Sequence, residues 1–357
     1  MPEPLLSRTQ KPLFRALAVL LALGLASVVL LATGARPFAA YAVIAQGALG
    51  SWGVASDVLV AWVPLLLVTS GLLLTFTVGL WNIGIEGQIT FGAIFATWAL
   101  RGFQAPVLGG SMAPGLAIAL AILAGMAGGA LWAMLVGALK TFGGVNEIFG
   151  GLGLNYAATA LNLWLIFGPW KRPGVASMSG TVPFDRRLWL PTVSEQSRFA
   201  PTALVLGLAS IAIVFVLIQG TYFGLRLKAV GRNPKAAYLL GIPTWQYSMV
   251  SFAICGLLAG LAGAVQVTAV YHRLIPSISS GYGYMGLMVA MLVNFSAAVA
   301  APVAIFFAAL NVGAIQLPIT LKLDSSLAGV LQGTLVLFVL LAEGARSRIM
   351  KGRGGAR

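Results

Sequence analysis

Asn82, Glu86 and Gln88 lie close together in Gly79-Leu80-Trp81-Asn82-Ile83-Gly84-Ile85-Glu86-Gly87-Gln88, where amides, glycines and a carboxylate interrupt apolar sequence. Amides and carboxylates hold uncharged polar molecules by hydrogen bonding. A carboxylate at the centre of a spanning helix costs about 2.5–3.5 kcal/mol on insertion scales, so Glu86 needs an interface or partners. The stretch reads either as a tight turn between two helices or as a broken helix lining a solute path. A second interruption, Gly281-Tyr282-Gly283-Tyr284-Met285-Gly286, offers two tyrosines. It fits a G-x-G-x-x-G pattern, but no strand precedes it, so dinucleotide binding is excluded. Two short glycine-interrupted segments, one in each half, point to a path between internal repeats. A third island runs from Lys140 to Glu147 and continues to Asn155-Tyr156, adding Asn146, Asn155 and Tyr156 as candidates. Each amide has the alternative role of tying neighbouring helices together.

Other chemistries fail on inventory. Cys255 is the only cysteine, which removes an intramolecular disulfide and any cysteine-based metal site. His272 is the only histidine, beside Arg273 with no serine or cysteine partner in view, and reads as an exposed loop residue. Lys140-Thr141 is preceded by Leu139 where a phosphate-binding loop needs glycine, so ATP would have to be bound by a separate chain. The sequence therefore predicts no catalytic residue and no metal or cofactor on this chain.

The elements that must carry these islands follow from composition. Of 357 residues, 59% are hydrophobic and 8% charged, against about 25% charged in ordinary globular domains. Such a surface excludes a soluble enzyme and fits a polytopic, all-α membrane protein. Apolar runs cover about 16–33, 58–79, 84–100, 115–139, 148–168, 202–220, 246–268, 283–294, 298–317 and 325–342, predicting about ten transmembrane helices, interrupted or short near 80–88 and 281–294. An uncleaved first helix is favoured over a signal peptide, because the run is long and more spans follow. An even count puts both termini on one side, and their basic residues place them in the cytoplasm. Of the 22 basic residues, 13 then fall inside, and five of the outer nine crowd into 170–200. The net charge of +14 thus reports orientation rather than nucleic-acid binding. One membrane domain over 1–357 is expected, with a cytoplasmic N-terminus at 1–15, an extracytoplasmic loop at 170–200, a cytoplasmic segment at 221–245 and a cytoplasmic tail at 344–357.

Within 221–245, Asn233 can cap a helix that starts at Pro234, passes through Ala236, Ala237 and Leu240 and stops at Gly241. Basic residues alone would set topology. The caps and the small Ala-Ala face suggest docking into a partner's groove.

Taken together, these blocks resemble the permease subunits of bacterial ABC importers, in the nucleoside and simple-sugar subgroup related to ribose-type and branched-chain amino acid permeases. Trp81–Gln88 resembles the subgroup's phenylalanine-asparagine-isoleucine-glycine signature, with Trp81 in place of phenylalanine. Gly144–Ile148 with Leu154–Tyr156, Arg226–Ile242 and Gly281–Tyr284 resemble further blocks, in order, over about 58–343. Met285 and Asn294-Phe295-Ser296 depart from the pattern.

The resemblance implies an ATP-driven importer in the bacterial inner membrane. Two permease chains, a heterodimer rather than a homodimer, would form the path. Partner ATPase subunits would bind ATP and magnesium, and a binding lipoprotein or periplasmic protein would deliver a nucleoside or simple sugar. Gly224, Arg226, Lys228, Gly231, Arg232, Asn233, Pro234, Ala236, Ala237 and Gly241 would make the ATPase-coupling segment. Asn82, Glu86, Gln88, Asn146, Asn155, Tyr156, Tyr282 and Tyr284 would line the path. Import of an amino acid or another small polar solute is the nearest alternative. A stand-alone ion-coupled transporter is a further one, but Asp57, Glu86, Glu147, Asp324 and Glu343 all fall near predicted span ends, leaving no proton relay.

Overall fold

A computed structural model describes residues 20–32, 34–104, 112–174, 179–194, 197–293, 296–324 and 326–354. Among them the secondary structure is entirely helical. The helices are α1 (Leu20–Ala32), α2 (Pro37–Leu49), α3 (Trp52–Thr77), α4 (Ile85–Gln104), α5 (Pro114–Thr141), α6 (Glu147–Phe167), α7 (Pro201–Gly220), α8 (Tyr222–Arg232), α9 (Pro234–Leu239), α10 (Thr244–Val265), α11 (Tyr282–Leu292), α12 (Ala297–Gly313), α13 (Gln316–Leu321) and α14 (Leu327–Gly354). Within the described residues, the ten apolar runs fall mainly on helices.

Among the described residues, length and apolarity sufficient to cross a membrane belong to five stretches: α3, α5, α7, α10 with its continuation to Tyr271, and α12 with α13. A sixth is reached if α1 and α2, bent by 108°, count as one span. The shortfall from ten has a physical reason. The longer helices that fall short include α4 and α6, which carry Glu86, Gln88, Asn155 and Asn162, while α11 has only 11 residues. The candidate site has diluted the apolarity of the helices that bear it.

The chain divides into two compact units, 59–305 and 1–58 with 306–357. In the first, α3 is apolar all round, and Leu65, Leu66, Leu67, Leu72, Leu73 and Leu74 are fully buried, as expected of a helix at the centre of a bundle. It packs on α10 at Gly71, whose Cβ would lie 3.0 Å from the Cys255 backbone, and α4, α5 and α10 pack on one another with their backbones nearly touching. A Cβ on Gly92 would collide with the Gly260 backbone, one on Gly129 with the Gly256 carbonyl, and one on Gly263 with the Ile89 carbonyl. The Gly125/Gly129 and Gly256/Gly260 pairs are thus two halves of one intrachain interface, the small-residue packing that apolar surroundings favour.

Above this bundle, residues 179–190 form an irregular cap. Phe184, Leu188 and Leu190 are buried, and backbone N–H groups of Thr181, Phe184 and Leu190 donate to the carbonyls of Leu274, His272 and Thr268 at 2.9, 2.8 and 3.0 Å. His272 is half-buried rather than exposed as the sequence suggested: its ring stacks on Trp189 with centroids 3.7 Å apart. Its φ of 53° turns the chain from the π-helical end of α10, Gln266–Tyr271, into the segment that leads to α11.

The terminal unit has its own core of Ala26, Leu30, Ala40, Ile44, Ala314, Leu317, Leu327 and Leu331. Gly47 and Gly313 bring α2 and α12 together there, whereas Gly329 and Gly333 of α14 meet nothing.

Candidate functional site

The first interruption is a break between α3 and α4. Gly79 takes φ of 81°, turning the chain out of α3, and Asn82 and Gln88 then face each other across six residues. Asn82 Nδ2 donates to Gln88 Oε1 at 3.0 Å, and Gln88 Nε2 donates back to Asn82 Oδ1 at 2.8 Å. The pair is fully buried, and Asn82 Nδ2 also donates to Cys255 Sγ at 3.1 Å. Buried amides that satisfy one another avoid the penalty of unpaired polar groups.

The start of α4 is closed by a residue from α6. Asn155 Oδ1 accepts from the Gly87 N–H at 2.8 Å, and its Nδ2 donates to the Ile83 carbonyl at 2.8 Å. One side chain thereby serves a backbone donor and a backbone acceptor that the break leaves without helical partners. Gly84 against Gly151 and Gly87 against Asn155 permit the approach, since a Cβ at either glycine would crowd α6.

The start of α11, the second interruption, is closed by Glu86. Its Oε1 accepts from the Tyr284 N–H at 3.0 Å, across 198 residues of sequence. Gly283 packs directly against the carboxylate, where a Cβ would lie 2.7 Å from Oε1. A carboxylate at a helix N-terminus is favourably placed against the helix dipole. Glu86 is 8% exposed, so it lies in the bundle interior and not at a surface turn. The two interruptions that were separate islands in sequence therefore meet in space.

Two tyrosines face outward from this cluster. Tyr156 is 78% exposed and Tyr284 46%. Nearby, the Tyr271 and Ser280 hydroxyls lie 3.1 Å apart, while Tyr282 is buried. The resulting wall presents hydroxyls backed by satisfied amides, and none of the residues gathered there is cationic. Asn146 is not part of it. It caps α6 by accepting from the Ile148 N–H at 2.9 Å, about 13 Å along the helix from Asn155. Beside it Lys140 and Glu147 form a 2.7 Å ion pair. Sequence reasoning did not find Cys255 as a member of the cluster; only its position in the fold reveals it.

The 221–245 segment folds as two short helices. Thr221 caps α8 by accepting from the Gly224 N–H at 3.1 Å. Asn233 Oδ1 caps α9 by accepting from the Ala236 N–H at 3.0 Å, with Pro234 in its first turn. Gly241, at φ 80°, ends it, and the Ile242 N–H returns to the Ala237 carbonyl at 3.0 Å. Of the candidate coupling residues, Arg232, Asn233, Pro234, Ala236 and Gly241 are exposed, whereas Gly224 and Ala237 are buried. Gly231 packs on the Thr77 carbonyl. Arg226 donates to the Tyr247 hydroxyl at 3.1 Å and lies over the Tyr222 ring, and Lys228 donates to Gln219 at 3.0 Å. The sequence reading did not count among its coupling residues the exposed apolar residues at the end of α9, Tyr238, Leu239 and Leu240, at 69%, 84% and 80%.

Residues 54–340 match the family described as the branched-chain amino acid transport system / permease component. The glucose ABC transporter permease protein TsgB13 of Haloferax volcanii is 29% identical over 92% of this chain and 86% of its own. The guanosine ABC transporter permease protein NupP of Bacillus subtilis is 26% identical, covering 90% of this chain and 91% of its own. A second guanosine permease protein of B. subtilis, NupQ, is 28% identical over 63% of this chain and 70% of its own.

Proposed function

Because the chain belongs to the family of branched-chain amino acid transport system permease components, a family of multi-pass membrane proteins, we propose that it is the permease subunit of an ATP-driven importer for a nucleoside or simple sugar. The observation that carries this reading is the wall formed by Asn155 and Tyr156 on α6 and Tyr284 at the start of α11. Hydroxyls and amides in apolar surroundings select uncharged, hydroxyl-bearing solutes. An amino acid substrate would want a cation for its carboxylate, which that wall lacks. The relatives named for glucose and guanosine support the same preference.

In this reading about ten segments cross the bilayer, with α4, α6 and α11 among them because their polar residues are satisfied inside the bundle. Both termini face the cytoplasm, as their basic residues favour. Tyr156 and Tyr284 would face a second permease chain, since hydroxyls exposed to lipid are costly. Two related guanosine permease proteins in one organism support an unlike partner. Separate ATPase subunits would supply ATP and magnesium and grip α9 through Tyr238, Leu239 and Leu240, an exposed apolar ridge beside Arg232 and Lys235. The cap, with Lys171, Arg186 and Arg187 exposed, would receive an acidic extracytoplasmic binding protein.

The test is reconstitution with the partner permease, ATPase and binding protein in liposomes, followed by uptake of radiolabelled guanosine, glucose and leucine. ATP-dependent uptake of guanosine or glucose, lost in the double variant Tyr238→Glu, Leu239→Glu together with ATPase co-purification, is expected. Uptake driven by an ion gradient without the ATPase, or of leucine alone, would overturn the proposal.

A further inference from the structure

The exposed wall and the buried cluster behind it are joined at one atom. Tyr284 belongs to the first turn of α11, and its own N–H donates to Glu86 Oε1. Asn155, from α6, closes the start of α4 in turn. Three helices are thereby tied in series: α4 holds α11 through Glu86, and α6 holds α4 through Asn155. The contact at Glu86 has no slack, because a Cβ at Gly283 would lie 2.7 Å from the carboxylate oxygen. By contrast, the pieces of chain leading into α11 are irregular from His272 to Gly281, with Ser280 at φ 49° and Gly281 at φ 75°. Little regular structure therefore holds the start of α11 from its own side.

From this we infer that Glu86 is a positioning residue for the solute path: it fixes the N-terminus of α11, sets how far Tyr284 projects into the path, and makes the two interrupted helices move as one body. The inference rests on the reading of Tyr284 as a wall of the path and deepens it. Glu86 itself touches no solute in this account. Its carboxylate is committed to the Tyr284 N–H.

The native chain offers a clean assay, because Cys255, its one cysteine, is buried and hydrogen-bonded to Asn82. Y284C and Y156C variants are made separately, each in the native, E86A, E86Q and G283A backgrounds, and reacted with a water-soluble maleimide in the purified, detergent-solubilised protein. Loss of the carboxylate is expected to change the labelling rate of Y284C by roughly threefold or more, the scale on which losing one charge-assisted hydrogen bond shifts a local opening equilibrium. G283A, which forces the carboxylate away from the other side, should do the same. E86Q keeps an acceptor oxygen in place and should fall between native and E86A. Y156C, on α6, should label at the native rate in every background.

Equal rates for Y284C in all four backgrounds would overturn the inference. So would equal changes at Y284C and Y156C, which would signify a general loosening of the fold. If E86A yields no folded protein, E86Q and G283A decide by the same two criteria. Labelling requires no solute, so failure of uptake would refute the transport reading without touching this result.

Discussion

The two helix breaks solve the same problem with different chemistry. At the first, between α3 and α4, a neutral amide from α6 serves both a donor and an acceptor, and an amide pair behind it is sealed from solvent. At the second, before α11, a carboxylate from α4 serves donors only, and the residue it holds is nearly half exposed. The amide closure is inward-looking and complete. The carboxylate closure joins the interior to an outward wall, and the cap is hydrogen-bonded to the Thr268–Leu274 stretch just before it. The difference teaches that the first break is a strut within the interior, whereas the second is an anchor that ties the interior to an exposed residue.

The strut should be the more costly to cut. Asn155→Ala leaves the Gly87 N–H and the Ile83 carbonyl buried without partners, at about 1–3 kcal/mol each. Thermal unfolding in detergent should show the largest loss for this variant, well beyond that of Tyr156→Phe on the exposed side of the same helix. Equal losses for the two would erase the distinction between strut and wall.

A smaller effect tests whether the amide pair behaves as a unit. Asn82→Ala and Gln88→Ala together should cost less than the two separately, with a coupling of about 1 kcal/mol. Independent, additive losses would mean that the pair is a coincidence of packing.

The smallest effect concerns the approach to the second break. Burial, chiefly, together with the nearby charge of Arg198, pushes the His272 imidazole below its ordinary 6.5, against the opposing hydrogen bond to the Thr268 carbonyl. The unfolded chain then binds a proton that the folded chain refuses, so stability rises with pH up to about 6.5 and is flat above it. His272→Phe retains a ring against Trp189 and removes the titration. Its unfolding temperature should depend less on pH between 5.5 and 7 than that of the native chain, and an unchanged dependence would place the pH-sensitive group elsewhere.

Much of the local structure was legible in advance. Within the described residues, the ten apolar runs fall mainly on helices, because an uncharged apolar stretch of that length has few other ways to satisfy its backbone in a membrane. The helix from Pro234 capped by Asn233 was readable because capping involves residues three apart. α2, from Pro37 to Leu49, was not marked out as a separate helix, nor was its sharp bend from α1. Glycine spacing was only half readable. Gly125/Gly129, Gly256/Gly260 and Gly329/Gly333 look alike in sequence, yet the first two pairs meet each other and the third meets nothing within the chain.

The site divides in the same way. Sequence alone determined that Asn82, Glu86, Gln88 and Asn155 needed partners, since unpaired polar groups in apolar surroundings are too costly to keep. It also determined that the stretch from Pro234 to Gly241 would be a helix capped by Asn233. Tertiary structure decided who the partners are: Glu86 with Tyr284, Asn155 with Gly87 and Ile83, Asn82 with Gln88 and Cys255. It also turned Ala237 inward and left Tyr238, Leu239 and Leu240 outward. The physical reason is that the need for a hydrogen bond belongs to a residue, whereas its satisfaction depends on where helices distant in sequence come to lie.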